Sequence, residues 1–464
     1  MRPIVLLALV LAAPAARSQG CAPGSGCPTL TLAETLARVA AAHPEARSAD
    51  LERDAAAARL LGARGGFDPL LATGLTGKTD DLDAKLGVWQ TQLSLPFDAP
   101  FSPSVDLNHR LGIGGSVNPA DATSGIGETR LGVSFSPLAG RRTDRRRTTL
   151  AQARLAPDAA DAAAVQRRNA LLLDAARAYW AWAGAWAAVA VRDDLLGAAQ
   201  QRAGFVARRV RAGEVPPVDS VEARLAVAAR EGDRVGALRA AESAGVSLAT
   251  YLWEADGTPA APDAAPAPLP PLPAVPDEAL RAAAATALAR RPELARARLA
   301  VETARLEATY AREQLRPDLR VGVQAVSYGS APAAFDDVYV GVSVRQPLAL
   351  RPARAGLAQA RVDVQRRDLE RSVAVRTVEA DVERAVVMLR RAGERVALAA
   401  EQARLAETLR RAELRRFELG DGTLFLVNQR ETALAEAQLR DLDARAEYLQ
   451  AVAAFAWATG TLGD

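Results

Sequence analysis

The chain has very little of what catalytic and metal centres are built from. Its 464 residues hold two cysteines, Cys21 and Cys27, and two histidines, His43 and His109. The histidines fall in different predicted elements, and neither has a Cys or acidic partner at ligand spacing, which argues against a zinc centre or an activated nucleophile. Gly112-Ile113-Gly114-Gly115 follows no strand-to-helix pattern and reads as loop, so no nucleotide cofactor is called for. Aromatics are 5% of the chain, and Tyr179, Trp182 and Trp186 share one helical face as packing residues. No apolar stretch reaches the roughly 20 residues of a membrane helix, so any crossing of a bilayer must use strands. With a net charge of +3 the chain has little excess of one sign. Its densest basic run, Arg141 to Arg147, has no interleaved aromatics to stack bases. That run reads as a solvated helix start or a membrane-edge anchor, with no nucleic acid as partner. No catalytic residue, metal ligand or cofactor is assigned, and the chain is not read as an enzyme.

What is present is apolar and charged residues finely mixed, 49% and 24%, the composition of long amphipathic helices that bury a narrow seam. Val375, Val378, Val382, Ala385, Leu389, Ala392, Val396, Ala399, Ala403 and Ala406 step 3,4,3,4 without a fault. Ala435, Leu439, Leu442, Ala446, Leu449, Ala453 and Ala456 continue the rhythm. Period 3.5 predicts coiled-coil packing, and alanine at the seam predicts close approach. One helix is expected from about Ala353 to Leu419, on the order of 100 Å at 1.5 Å per residue. Its counterpart runs from about Arg147 to Arg211, with Pro157 marking a first-turn irregularity or a kink. Arg2, the apolar run Ile4 to Ala13 and Ala16-Arg17-Ser18 read as an export signal over residues 1–18. Cys21 and Cys27 then lie just past the cut in an oxidising compartment, as a local disulfide or as two free thiols.

The chain repeats itself. His43-Pro44-Glu45 recurs as Arg291-Pro292-Glu293 and Pro69 as Pro317, both at an offset of 248 (292 − 44, 317 − 69). Leu150-Ala151-Gln152-Ala153-Arg154 recurs letter for letter as Leu357 to Arg361, and Gly213 as Gly420, at an offset of 207 (357 − 150, 420 − 213). The drop places about 41 additional residues (248 − 207) between Pro69 and Leu150. A first repeat over 19–255 and a second over 277–464 are joined by a Pro/Ala-rich linker, 256–276, expected to be extended.

Each half reads helix, strand, strand, long helix, turn, helix. Leu319, Val321, Val323 and Ala325 share a face, as do Val338, Val340, Val342 and Val344; Leu131, Val133 and Phe135 repeat the pattern, and Leu71, Thr73 and Leu75 do so weakly. Such alternation fits membrane strands, although a small soluble sheet at the end of a coiled coil has the same period. The added segment, about 78–129, holds one more alternating run, Trp89, Thr91, Leu93 and Leu95, and reads as an extended loop or hairpin on the outer side. The expected fold is therefore mainly α with a small β part. Four strands cannot close a barrel, and an open edge in lipid leaves backbone groups unpaired at several kcal/mol each, so copies must associate. Three would give twelve strands.

Leu32-Ala33-Glu34-Thr35-Leu36-Ala37 leading to His43-Pro44-Glu45, and Arg416-Phe417-Glu418-Leu419-Gly420 followed by Leu424 to Glu431, resemble the TolC-like outer-membrane efflux proteins. The resemblance covers essentially the whole mature chain and rests on the order and spacing of these motifs. It implies a homotrimer with a β-barrel in outer-membrane lipid and an α-helical tunnel through the periplasm. It also implies a periplasmic adaptor and an inner-membrane pump as partners. By family position, adaptor docking and aperture opening fall on two turns, at Arg211, Gly213 and Glu214 and at Gly420, Asp421 and Gly422. Asp219 is where an acidic aperture residue is expected after the first turn. After the second turn this chain has Leu426 and Gln429 in place of the family's aspartates, which leaves Asp421 as a substitute or an ordinary turn former. The resemblance also suggests a lipid anchor on Cys21, against which Ser18-Gln19-Gly20 lacks the usual apolar residue. A duct for type I polypeptide secretion, and a periplasmic coiled-coil adaptor or scaffold, are the alternative functions.

Overall fold

A computed structural model describes residues 28–80, 84–113, 127–328 and 335–463. The export signal and both Cys21 and Cys27, with their disulfide, thiol and lipid-anchor readings, lie outside the described residues. The elements run β1 (Thr29–Leu30), α1 (Leu32–Ala42), α2 (Pro44–Arg64), β2 (Leu70–Asp80), β3 (Ala84–Pro96), β4 (Ser104–Ile113) and β5 (Glu128–Phe135). There follow α3 (Arg145–Arg211), α4 (Pro217–Ala249), β6 (Ala265–Pro266), α5 (Asp277–Arg290) and α6 (Pro292–Glu313). The chain ends with β7 (Asp318–Ser327), β8 (Asp337–Arg345), α7 (Arg351–Glu418) and α8 (Leu424–Thr459). Pro157 stands inside α3 and not in its first turn; the helix carries through it. Two compact units divide the chain, one of 1–47, 167–290 and 379–464, the other of 48–166 and 291–378.

The first unit is helical. Thr31 opens α1 with a capping box, its hydroxyl accepting from the Glu34 N–H at 3.3 Å while the Glu34 carboxylate accepts from the Thr31 N–H at 2.9 Å. Tyr179, Trp182 and Trp186 of α3 are buried with Leu248 of α4 and Leu449 of α8, the packing role their shared face predicts. The Tyr179 hydroxyl donates to the Leu30 carbonyl at 2.9 Å, and burial pushes that phenol up to about 12. Within the Pro/Ala-rich segment β6 pairs in parallel with β1, and the Pro273 carbonyl accepts from the Tyr448 hydroxyl at 2.7 Å.

The second unit carries one antiparallel sheet in the order β2-β3-β4-β5-β7-β8. The count of four strands is corrected to six, because the added segment of the first half forms the hairpin β3–β4 in full register between β2 and β5. Gly112 and Ile113, expected in a loop, end β4. The alternation has the anticipated consequence on one face. Leu71, Leu93, Leu107, Leu131, Ala325 and Val338 form a row across all six strands, with Leu95, Val105, Val133, Val323 and Val340 beside it. The valines of β8 are 65–70% exposed. The corresponding row on the opposite face is Ala72, Gln92, Asn108, Arg130, Val326 and Asp337, polar except at its β2 and β7 positions. Among the described residues the outermost strands, β2 and β8, each have one partner, which leaves both edges of the sheet unpaired.

The middle of the long-helix seam is buried: Val378, Val382, Ala385, Leu389, Ala392 and Ala399 are all at most 7% exposed, while Val375, Val396, Ala403 and Ala406 are partly covered. Among the described residues no helix is long and apolar enough to cross a membrane.

Candidate functional site at the helix-hairpin turns

The α3–α4 and α7–α8 reversals are built from the same backbone device. Gly213 has φ +74° and donates to the Val210 carbonyl at 3.0 Å, while Glu214 donates to the Arg209 carbonyl at 3.0 Å. Gly420 has φ +88° and donates to Phe417 at 3.1 Å, while Asp421 donates to Arg416 at 3.0 Å. Both are Schellman motifs with glycine in the left-handed position just past the helix, where a side chain would be strained. The chain then restarts differently. Pro216-Pro217 presets α4, whereas the Thr423 hydroxyl accepts from the Leu426 N–H at 3.3 Å to cap α8.

The two turns meet in one small core of Val206, Ala223 and Leu424, flanked by Val210 and Phe417. Around it Arg211, Gly213, Glu214, Gly420 and Asp421 are exposed, and Gly422 and Asp219 are partly covered. Arg209 donates to the Glu214 carboxylate at 3.0 Å, stiffening the first turn. Asp219 sits in the first turn of α4, where its charge complements the helix N-terminus. Asp421 closes the C-terminus of α7 with its backbone N–H.

A polar cluster absent from the sequence reading lies further along α3, α4 and α8. Arg202 of α3 forks onto Glu431 of α8, one arm at 2.8 Å, and also donates to the Asn428 side chain at 3.0 Å. Arg230 of α4 is 3.8 Å from the same carboxylate and donates to the Asn428 carbonyl and the Thr432 hydroxyl at 3.4 Å. All three charged side chains are at most 10% exposed. Burial lowers the Arg230 guanidinium, partly offset by the Glu431 charge. The sequence signal was there: stepping the α8 seam back from Ala435 lands on Thr432 and Asn428, polar where apolar residues belong.

Both histidines have structural partners. His43 is buried against Tyr251 and Trp253 and accepts from the Glu45 N–H at 3.2 Å to open α2. His109 pairs with Thr129 across β4 and β5 at 2.9 Å. Among the described residues no group of His, Cys, Asp and Glu could hold a metal ion. The basic run resolves as structure, with Arg147 bound to Asp144 at 2.8 Å and Arg145 to Glu307 at 3.1 Å.

A sheet with one apolar and one polar face, joined in sequence to heptad helices that reverse in glycine-capped hairpins, has the fold of the bacterial outer-membrane channels. Residues 283–461, nearly all of the second repeat, match the model of the outer membrane efflux protein family. The solved Neisseria gonorrhoeae MtrE outer membrane channel in its open state is similar over 93% of this chain and 89% of its own, at 18% identity and a TM-score of 0.67. The Vibrio cholerae outer membrane protein VceC matches over 92% and 96% at 15% identity and 0.65, and the Campylobacter jejuni CmeC outer membrane channel over 93% and 86% at 11% and 0.64. No curated protein matches in sequence. The resemblance to TolC-like outer-membrane efflux proteins therefore holds, by family model in the second half and by fold along nearly the whole chain.

Proposed function

We propose that the chain is the outer-membrane channel subunit of a tripartite efflux system, a passive exit duct for substrates delivered by an inner-membrane pump through a periplasmic adaptor. The observation that carries this is the sheet with an exposed valine face and two unpaired edges. In lipid each unpaired backbone group costs several kcal/mol, so β2 of one copy must meet β8 of the next until the wall closes. Three copies suit the family resemblance, and the polar sheet face then lines the lumen. The glycine-capped turns are the surfaces offered to the adaptor, with Arg211, Glu214 and Asp421 as accessible charges. Nothing in this arrangement needs chemistry by the channel itself; the pump supplies the energy. Fractionation of expressing cells tests the reading: a detergent-resistant trimer in the outer membrane supports it, and a soluble periplasmic monomer overturns it.

A further inference from the structure

Building on the channel reading above, we propose that the hairpin β3–β4 is part of the membrane wall, so that three copies close an eighteen-stranded barrel in place of a twelve-stranded one. Three observations converge on this. The first is strand order: among the described residues β2 has its only partner in β3, and β3 and β4 stand between β2 and β5. A hairpin outside the wall would leave β2 without pairing to the rest of its own chain.

The second is the character of the faces. Two apolar rows run through β3 and β4, at Leu93 and Leu107 and at Leu95 and Val105, and the row of Thr73, Thr91, His109 and Thr129 beside them has its polar atoms paired across strands. Trp89 donates its indole N–H to the Thr73 hydroxyl at 2.8 Å, and His109 meets Thr129 at 2.9 Å. Polar groups matched to one another in this way are what a surface facing hydrocarbon requires. With 13 and 10 residues, β3 and β4 are as long as membrane strands need to be.

The third is how the turn between them is held. Phe101 and Ser102 adopt left-handed backbone, φ 70° and 50°, a conformation costly for residues with a side chain. Phe101 donates to the Gly140 carbonyl at 3.1 Å and accepts from the Ser136 N–H at 2.7 Å. The Ser102 hydroxyl donates to the Asp144 carboxylate at 2.6 Å, and Arg154 of α3 reaches Asp98 at 3.4 Å. The turn is thus bolted to the start of α3, at the end of the sheet where β5 leads into that helix. Both hairpin strands therefore run through the sheet from its helix-bearing end, as β5 does.

Widening follows from geometry. At a strand spacing of about 4.8 Å and a tilt of about 40°, twelve strands give a backbone diameter of about 24 Å and eighteen about 36 Å, so the enclosed cross-section more than doubles. The occupant of each free edge is a second copy of this chain, and the wider mouth suits bulkier cargo at the outer face.

Distances between copies test this directly. In full-length protein with both native cysteines replaced by serine, V340C and separately V133C would be spin-labelled and measured by pulsed dipolar spectroscopy in nanodiscs. Eighteen strands place equivalent Cα atoms about 31 Å apart, twelve about 21 Å, on the same spacing and tilt. Agreement of both sites near the larger value supports the proposal. A trimer at the smaller value overturns it while leaving the channel reading standing. A protein that shows no distance between copies and stays soluble overturns both.

Discussion

Arg202 and Glu431 form a two-armed ion pair in which nearly all of both side chains is withdrawn from water. The pair joins α3, from the first repeat, to α8, from the second, and Arg230 brings a second positive charge to the same carboxylate. One acid thus balances two buried bases.

Removing that acid leaves both arginines uncompensated. Glu431→Gln is expected to destabilise the protein by about 3 kcal/mol, the scale seen when one partner of a buried pair is lost. Guanidinium melts of the detergent-solubilised protein, followed by far-UV dichroism, would measure it. A change below about 0.5 kcal/mol would show that the pair contributes nothing net.

The turns make a conformational prediction. Gly213→Ala and Gly420→Ala place a Cβ in the left-handed region, which costs roughly 1 kcal/mol at each site. Nothing lies within 4 Å of either added Cβ, so the cost is backbone strain alone. The same substitution at the helical Gly232, also in open space, is expected to stabilise by up to about 1 kcal/mol. Thermal shifts of opposite sign are the expected result; equal shifts would refute the cap assignment.

An acid-sensitive latch is expected at the β3–β4 turn. Burial raises the Asp144 carboxyl, but hydrogen bonds from Ser102 and from the Arg147 backbone and side chain outweigh it and hold the group below its ordinary 3.8. A depressed folded value means stability present above about pH 4 and lost as pH falls through the folded value. Protease nicking between Phe97 and Pro103 should therefore rise in that acid window. Asp144→Asn should be nicked readily at neutral pH and lose the pH dependence; a wild type equally resistant at pH 3 and pH 7 would contradict the latch.

Tyr179 gives the opposite dependence. Burial raises its phenol to about 12 from an ordinary 10.0, so it favours the folded state below pH 10 and withdraws that contribution as pH rises toward 12. Tyr179→Phe is expected to cost about 1 kcal/mol at neutral pH, a small value because the Leu30 carbonyl keeps the Ala267 N–H as a donor at 3.0 Å. The variant's alkaline unfolding should shift to higher pH, read by tyrosine absorbance and dichroism together. An unchanged alkaline midpoint would contradict the assignment.

Much of this architecture was legible in the residues because its signals are long and periodic. The heptad seam of α7 needs only counting, and glycine at 213 and 420 marks the reversals at a fixed offset. The strand count was not legible, for a local reason. The positions of β4 on the apolar face are Val105, Leu107, His109 and Leu111, and His109 interrupts the alternation; its pairing with Thr129 can be seen only once register is known. The Arg202–Glu431–Arg230 cluster was hidden because its members come from distant parts of the chain, and only the polar steps at Asn428 and Thr432 hinted at it.

The central claim is that copies of this chain enclose a pore through a lipid bilayer, and unitary conductance measures that most directly. Purified full-length protein added to a planar bilayer is expected to give discrete, uniform current steps carried by the trimer fraction and absent from the monomer fraction. A well-folded trimer that inserts and yet carries no current would contradict the account.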